Sequence, residues 1–267
     1  MSKVSLSTIT ITKNEERNIE GCLASVRWVD QIIVVDAESS DQTQALARRL
    51  SPHVLVRPWV GYGPQKNYGI QQATGDWILI LDADERVSPE LAGEIQERIA
   101  SWTSQDPVAY SLPRRNIFYG AWVRWGGAYP DRQIRLFQRG KAFYNDVEIH
   151  ENLIVDGPIG RLEGFLEHYT ERQIVDHFRK FSIYITLAAK EQGKSTSTVR
   201  WWQLLLNPLV TFVKKYGLKQ GFRDGIRGVI YAGFASMYTF GKYAKLWELG
   251  AVDARKSTSE NHEGVSP

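Results

Sequence analysis

The first hundred residues alternate between short apolar runs and segments with helical periodicity. The apolar runs lie at 4–12, 31–36, 53–58 and 76–84, and the helical segments at 14–29, 40–50, 64–73 and 88–102. The runs predict strands because they are rich in β-branched residues, and the segments predict helices because apolar residues recur every three or four positions. Repeated βα units predict an α/β fold, with a mostly parallel sheet covered by helices on both faces.

Two of the predicted helices carry proline near their start. Pro64 is expected at the beginning of the third helix, where its missing N–H costs nothing. Ser88 is the predicted N-cap of the fourth helix, and Pro89 its first residue. These residues predict where the two helices begin.

The composition is that of an ordinary globular protein. The chain has 267 residues, of which 43% are hydrophobic and 24% charged. Its single cysteine, Cys22, excludes an internal disulfide and is expected to be packed within a helix. The N-terminus has no apolar core of the signal-peptide type. We therefore expect a cytoplasmic protein.

Positive charge is concentrated near the C-terminus. Residues 200–250 contain eight Lys and Arg but two acids, among many aromatic residues in helical patterns. No uncharged apolar run is long enough to span a bilayer. The pattern predicts a helical extension at 196–252 that associates peripherally with an anionic membrane surface; the alternative is packing on the core. A disordered tail is predicted at 253–267, and no nucleic acid partner is expected.

Three carboxylates follow the fourth predicted strand: Asp82, Asp84 and Glu85. Ligands of parallel α/β sheets bind beyond the carboxyl ends of the strands. Neighbouring carboxylates stay ionised together only where a cation or an excellent hydrogen-bond network compensates them. The spacing of Asp82 and Asp84 favours Mg²⁺ or Mn²⁺ whose coordination is completed by a diphosphate. The alternative is a helix-capping loop.

Four sequence blocks, TITKNEERNI, IIVVDAESSDQT, QKNYGI and GDWILILDADE, occur in an order that resembles the inverting family 2 glycosyltransferases. The resemblance covers about 4–105 and implies the GT-A fold, a UDP-sugar donor and a divalent metal. It is closest to bacterial lipopolysaccharide core β-glucosyltransferases, which implies UDP-glucose as donor and a lipid-linked saccharide as acceptor. The resemblance places these residues at the donor: Thr12, Asn14, Glu15, Asp36, Lys66, Asp82 and Ala83, with Asp84 as metal ligand.

Each of these residues also has a structural interpretation. Asn14 is suited to cap a helix, Asp36 to close a turn at a strand end, and Lys66 to lie solvated on a helix.

The catalytic base is predicted in the segment NDVEIHENLIV, 145–155. Inversion by direct displacement needs one carboxylate to deprotonate the acceptor hydroxyl. The HE pair resembles a block of the lipopolysaccharide subfamily, which implies Glu151 as base, with Glu148 and Asp146 as rivals. His150 is predicted to ligate the metal or orient the diphosphate, and its alternative is a structural role.

The middle of the chain, about 108–170, has shorter strand patterns separated by Gly and Pro turns. Arg132 and Arg135, beside Asp131, are predicted there as an arginine fork for a phosphate. The predicted GT-A catalytic domain covers 1–195, with a nucleotide-sugar part at 1–105 and an acceptor-side part at 106–170.

Other functions use the same fold. The acceptor is alternatively a polyprenyl-phosphate or a protein side chain, and a further alternative is a nucleotide-binding protein without catalysis. A nucleotidyltransferase is disfavoured because its Gly-rich basic loop would follow the first strand, where this chain reads TKNEERN.

Overall fold

The computed structural model describes residues 4–145, 152–171, single residues of 174–189 (174, 175, 177, 178, 181, 185, 186 and 189) and 199–263. The chain forms two compact units, one of Met1–Ile117 with Tyr129–Thr170, the other of Phe118–Ala128 with Glu171–Pro267. The sequence predicts the end of the catalytic domain at 195, whereas the two units divide at 170/171. The second unit also includes 118–128.

The strands are β1 (Leu6–Thr12), β2 (Gln31–Asp36), β3 (His53–Val56), β4 (Trp77–Asp82), β5 (Glu85–Val87), β6 (Ala109–Phe118), β7 (Ala121–Trp122), β8 (Asp131–Gln138), β9 (Ala142–Tyr144), β10 (Leu153–Val155), β11 (Ile159–Arg161) and β12 (Leu166–Glu171). The helices of the first unit are α1 (Ile19–Ala24), α2 (Thr43–Arg48), α3 (Tyr62–Gln72) and α4 (Pro89–Ala100).

The main sheet of the first unit has the order β3-β2-β1-β4-β8-β6-β12-β5, and β11 also pairs with β6. Strands β1 to β4 are parallel, whereas β8 is antiparallel to both β4 and β6, and β12 is antiparallel to β5. Strands β9 and β10 form a separate antiparallel pair. The predicted α/β fold with a parallel N-terminal sheet is confirmed.

Strand β4 is apolar on both faces because helices cover both sides of the sheet. Its Leu79 and Leu81 belong to a core with Leu91 of α4, whereas Ile78 and Ile80 belong to a second core on the other face. Helix α3 approaches that second face closely at Gly69, where an added Cβ would collide with Ile9. The strand ends are thereby held between two packed layers.

The four helices lie where they were predicted, but their boundaries differ from the prediction, most at α1 and at the start of α3. Helix α3 begins at Tyr62 instead of Pro64. This earlier start is compatible with Pro64, because the N–H groups of the first turn have no intrahelical partner and proline lacks only such a group. Helix α1 is limited to Ile19–Ala24 within the predicted 14–29. Helix α4 has the predicted N-cap, since Ser88 Oγ accepts from Leu91 N at 3.1 Å.

The continuously described part of the second unit, 199–263, contains helix α5 (Trp201–Phe212) and helix α6 (Ile226–Glu263), joined by a π-helical turn (Val213–Leu218) and a 3₁₀ turn (Gly221–Asp224). Helix α6 extends into the segment for which the sequence predicts a disordered tail, where Ala, Arg, Lys and Glu favour helix. Among the described residues, no helix has the length and apolarity needed to cross a membrane.

Candidate active site

Three predicted site residues lie side by side at the carboxyl edge of the parallel strands. Thr12 of β1 is paired in register with Asp36 of β2, and the preceding Ile11 with Asp82 of β4. This arrangement follows from adjacent parallel strands that end at the same edge. The candidate site therefore lies at this edge of the sheet.

Asp82 is neutralised by two basic side chains of the protein. Its Oδ1 lies 3.2 Å from Lys66 Nζ, and its Oδ2 accepts from Arg135 Nη2 at 2.5 Å. Burial alone would raise the pKa of Asp82, but the charges of Arg135 and Lys66 hold it well below the usual range. Asp82 is therefore an ionised, fixed carboxylate.

Glu85 is the fully buried centre of the same charge network. Its Oε1 lies 2.8 Å from Arg135 Nη2 and 3.2 Å from Arg114 Nη1, and its Oε2 accepts from the backbone N of Asp82 at 3.0 Å. Arg114 Nη2 also contacts Asp131 at 2.6 Å. Acids and bases thus alternate from Asp131 to Lys66, and the six charges cancel.

The network contradicts the predicted arginine fork. Arg135 is buried and committed to Asp82 and Glu85. Arg132 donates to the carbonyl oxygens of Ser111 and Leu162, and to Glu163 at 2.7 Å. Both guanidinium groups hold the fold together, so the prediction of a phosphate clamp is wrong.

Asp84 points to a different partner. Strand β12 pairs antiparallel with β5, which places His168 opposite Glu85 and brings its Nε2 within 3.4 Å of Asp84 Oδ2. The Nδ1 of His168 lies 2.7 Å from Asn116 Oδ1, an acceptor, so Nδ1 donates and Nε2 faces Asp84. Burial would lower the pKa of His168, but the hydrogen bond and charge of Asp84 raise it above its usual value.

Sequence reasoning missed His168. It lies more than 80 residues from the acidic motif in the sequence, and only the β12–β5 register brings it near. A lone histidine in a strand gives no local signal of such a partner.

The pair of Asp84 and His168 fits a divalent cation. A carboxylate oxygen and an imidazole nitrogen are ligands that Mn²⁺ accepts, and 3.4 Å between them lets both reach one ion. Within the described ranges, no group of three His, Cys, Asp or Glu side chains could hold a metal. A site with two protein ligands leaves coordination positions for diphosphate oxygens.

The loops after β1 and β2 hold each other in place. Asn14 has a positive φ of 55°, its N donates to Ser39 Oγ at 2.8 Å, and its Oδ1 accepts from Ser40 N at 2.8 Å. The N of Glu15 donates to Thr43 Oγ1 at 2.7 Å. These contacts explain why the helix begins only at Ile19 and not at Asn14.

The other predicted donor residues are largely buried. Asp36 accepts from Ser39 N at 2.8 Å and from Gln44 Nε2 at 2.7 Å, as expected of an acid that closes a turn. Thr12 is buried at the edge, and Ala83 packs in a core cluster. Lys66 is 3% exposed and lies over the Tyr144 ring, so its interpretation as a solvated lysine is wrong.

The predicted base and its neighbours, Asp146, Glu148, His150 and Glu151, lie outside the described residues. The described segments on either side end at Asn145 and begin again at Asn152. Asn145 N donates to Asn152 O at 3.1 Å, so these two described residues lie together. Lys66 lies over the ring of Tyr144, the residue before Asn145, and pairs with Asp82, so Asn145 adjoins the Asp82 network.

Comparison with known proteins decides the family. The sequence profile of Glycosyl transferase family 2 matches residues 7–153. The chain belongs to this family. It is 29% identical to the lipopolysaccharide core biosynthesis glycosyltransferase LpsC of Rhizobium meliloti, over 97% of each chain. It is 31% identical to an uncharacterized glycosyltransferase of Rickettsia typhi, over 96% of this chain and 91% of the relative.

The fold of the chain is also similar to that of a solved glycosyltransferase. The mannosyltransferase PcManGT from Pyrobaculum calidifontis, solved with GDP-Man and Mn²⁺, is similar with a TM-score of 0.51 and 16% identity, over 91% of this chain and 87% of that one. The predicted family 2 membership and GT-A fold are confirmed, and the family supports glycosyltransferase activity.

Proposed function

We propose that this chain is an inverting, metal-dependent glycosyltransferase that moves a hexose from a UDP-sugar to a lipid-linked saccharide. Glucose is the favoured sugar and the lipopolysaccharide inner core the favoured acceptor. The reaction takes place at the cytoplasmic face of the inner membrane. The relation to LpsC, whose name assigns it to lipopolysaccharide core biosynthesis, supports this choice of acceptor.

One observation supports the metal-dependent part of the proposal: the three neighbouring acids have different partners. Asp82 and Glu85 are matched by Lys66, Arg114 and Arg135. Asp84, in contrast, faces an imidazole that can lose its proton and coordinate a cation. Asp84 and His168 would therefore hold Mg²⁺ or Mn²⁺, while Asn116 orients the imidazole from behind.

The bound cation would supply electrostatic stabilisation of the departing diphosphate. The remaining work falls to the chain's own side chains. Asp82, fixed by Lys66 and Arg135, is placed to accept hydrogen bonds from the donor's ribose. Thr12, Asn14, Glu15 and Asp36 line the nucleotide pocket, with Ala83 between the two acids.

The chemical step is a single displacement at the anomeric carbon. Glu151 takes the proton of the acceptor hydroxyl, whose oxygen forms the new bond on the face opposite to the leaving group. The bond from the anomeric carbon to the UDP oxygen breaks, and UDP leaves with the electron pair. One carboxylate suffices, and the configuration inverts.

The test is UDP release from a panel of UDP- and GDP-sugars, with Mn²⁺, Mg²⁺ or EDTA. We expect slow hydrolysis of one UDP-sugar that EDTA abolishes. Asp84→Asn and Glu151→Gln should each lower turnover at least about 100-fold. The matched control is Asp156→Asn, since Asp156 is an exposed acid paired with Lys141.

A second readout follows the metal without turnover. Mn²⁺ binding in the presence of UDP, followed by electron paramagnetic resonance, should weaken about tenfold or more in His168→Ala. Unchanged Mn²⁺ binding in that variant would remove His168 from the site. Near wild-type turnover of Asp84→Asn or of Glu151→Gln would remove that residue from the mechanism, and absence of both UDP release and UDP binding would overturn the nucleotide site.

A further inference from the structure

Helix α5 exposes a continuous apolar stripe. Five residues of α5 and the first residue of the π-helical turn share one face, each between 38% and 61% exposed: Trp202, Leu205, Leu206, Leu209, Val210 and Val213. The same character continues past the helix end, where Leu218 is 79% exposed and Ile226 is 69% exposed. A helix surface facing water normally carries polar side chains.

The face of α5 that packs on α6 is, in contrast, partly polar. Thr211 Oγ1 lies 3.1 Å from Thr239 Oγ1, and Ser236 Oγ donates to the carbonyl oxygen of Pro208 at 2.8 Å. Hydroxyl groups thus join the two helices while leucine and valine face outward. This distribution is the reverse of a helix in water and is typical of one whose outer face meets an apolar medium.

Basic side chains border the stripe. Lys214, Lys219 and Arg223 are exposed and alternate with the apolar residues after α5. The one acid between 200 and 247 is Asp224, whose Oδ2 accepts a hydrogen bond from the backbone N of Trp125 at 2.7 Å. The part of the stripe beyond α5 is therefore bordered by positive charge, which favours an anionic partner.

We propose that α5 and the turn that follows it lie in the plane of an anionic phospholipid bilayer, with the stripe in the acyl-chain boundary and the basic residues among the headgroups. Charge complementarity selects this occupant, because a second copy of the chain would bring like charges together around the stripe. The inference rests on the proposed function only in that a lipid-linked acceptor requires the enzyme at the membrane.

The test measures sedimentation of the full chain with vesicles of phosphatidylcholine alone, or of phosphatidylcholine mixed with phosphatidylglycerol. Wild type should bind the mixed vesicles and be released by added salt. Leu205→Gln with Leu209→Gln should weaken this binding at least about tenfold. Lys214→Gln with Lys219→Gln should remove most of the preference for the anionic lipid.

The controls are Ile159→Gln and Arg161→Gln, which alter exposed residues of β11 in the first unit and should bind like wild type. Wild type remaining in the supernatant with anionic vesicles would overturn the proposal, as would full binding by the leucine variant. A stable wild-type dimer that becomes a monomer in the leucine variant would also overturn it, in favour of a second copy. Donor hydrolysis without vesicles is measured in parallel, so loss of membrane binding and loss of catalysis are separate results.

Discussion

Arg135 is the position at which the charge network of the first unit can be tested most directly. It supplies one charge to both Asp82 and Glu85. Arg135→Met leaves three acids facing two bases, with Glu85 fully buried. Removing one partner from a buried ion pair costs about 3–5 kcal/mol. We expect about 3 kcal/mol of lost stability, because Lys66 still pairs with Asp82 and Arg114 with Glu85.

The double variant gives the sharper prediction. Glu85→Leu alone leaves one base in excess and should also cost about 3 kcal/mol. In Arg135→Met with Glu85→Leu, two neutral pairs remain, Lys66 with Asp82 and Arg114 with Asp131. The double variant should therefore be no less stable than either single variant, a coupling of about 3 kcal/mol.

The assay is urea unfolding, supported by hydrogen exchange of the β1 and β4 amides, which reports on opening of this unit. Lys141→Met is the control, because its pair with Asp156 is exposed and should contribute less than about 1 kcal/mol. Additive losses of about 6 kcal/mol in the double variant would refute the reasoning, since independent contributions add. So would an Arg135→Met variant as stable as the control.

Three further predictions concern packing in the first unit. Ser88→Ala should cost about 1 kcal/mol in urea unfolding through loss of the N-cap. Gly69→Ala should destabilise by about 1–3 kcal/mol because its methyl group collides with Ile9, whereas Gly93→Ala, also in a helix but with open space around it, should stabilise by about 0.5–1 kcal/mol. Burial raises the pKa of the Cys22 thiol, so a disulfide reagent should modify it only after unfolding.

The sequence predicted the parts of the fold that depend on local pattern. Strand β2 has the predicted bounds of 31–36 because a run buried on both faces needs apolar residues without interruption. The start of α4 was predictable because Ser88 and Pro89 act within one turn. The start of α1 was not, because contacts with Ser39 in the loop after β2 and with Thr43 at the start of α2, 25 and 28 residues away, hold the segment before it out of the helix.

The candidate site was predictable only in part, for the same reason. The positions of Thr12, Asp36 and Asp82 at one edge follow from strand order, which repeated βα units reveal. The partners of the acids do not, because Arg114, Arg135 and His168 arrive from β6, β8 and β12, and their register depends on the whole sheet.

The acidic motif itself shows why spacing alone assigns roles poorly. Strand β4 ends at Asp82 and β5 begins at Glu85, so the turn between them decides which way each acid points. Asp82 and Glu85 turn toward Arg135, which they share, and Lys66 and Arg114 supply the remaining positive charge. Asp84 turns toward His168 instead. The three neighbouring carboxylates therefore have two different roles. Two belong to a neutral buried network that fixes the strand ends, and one faces a group that can share a cation with it.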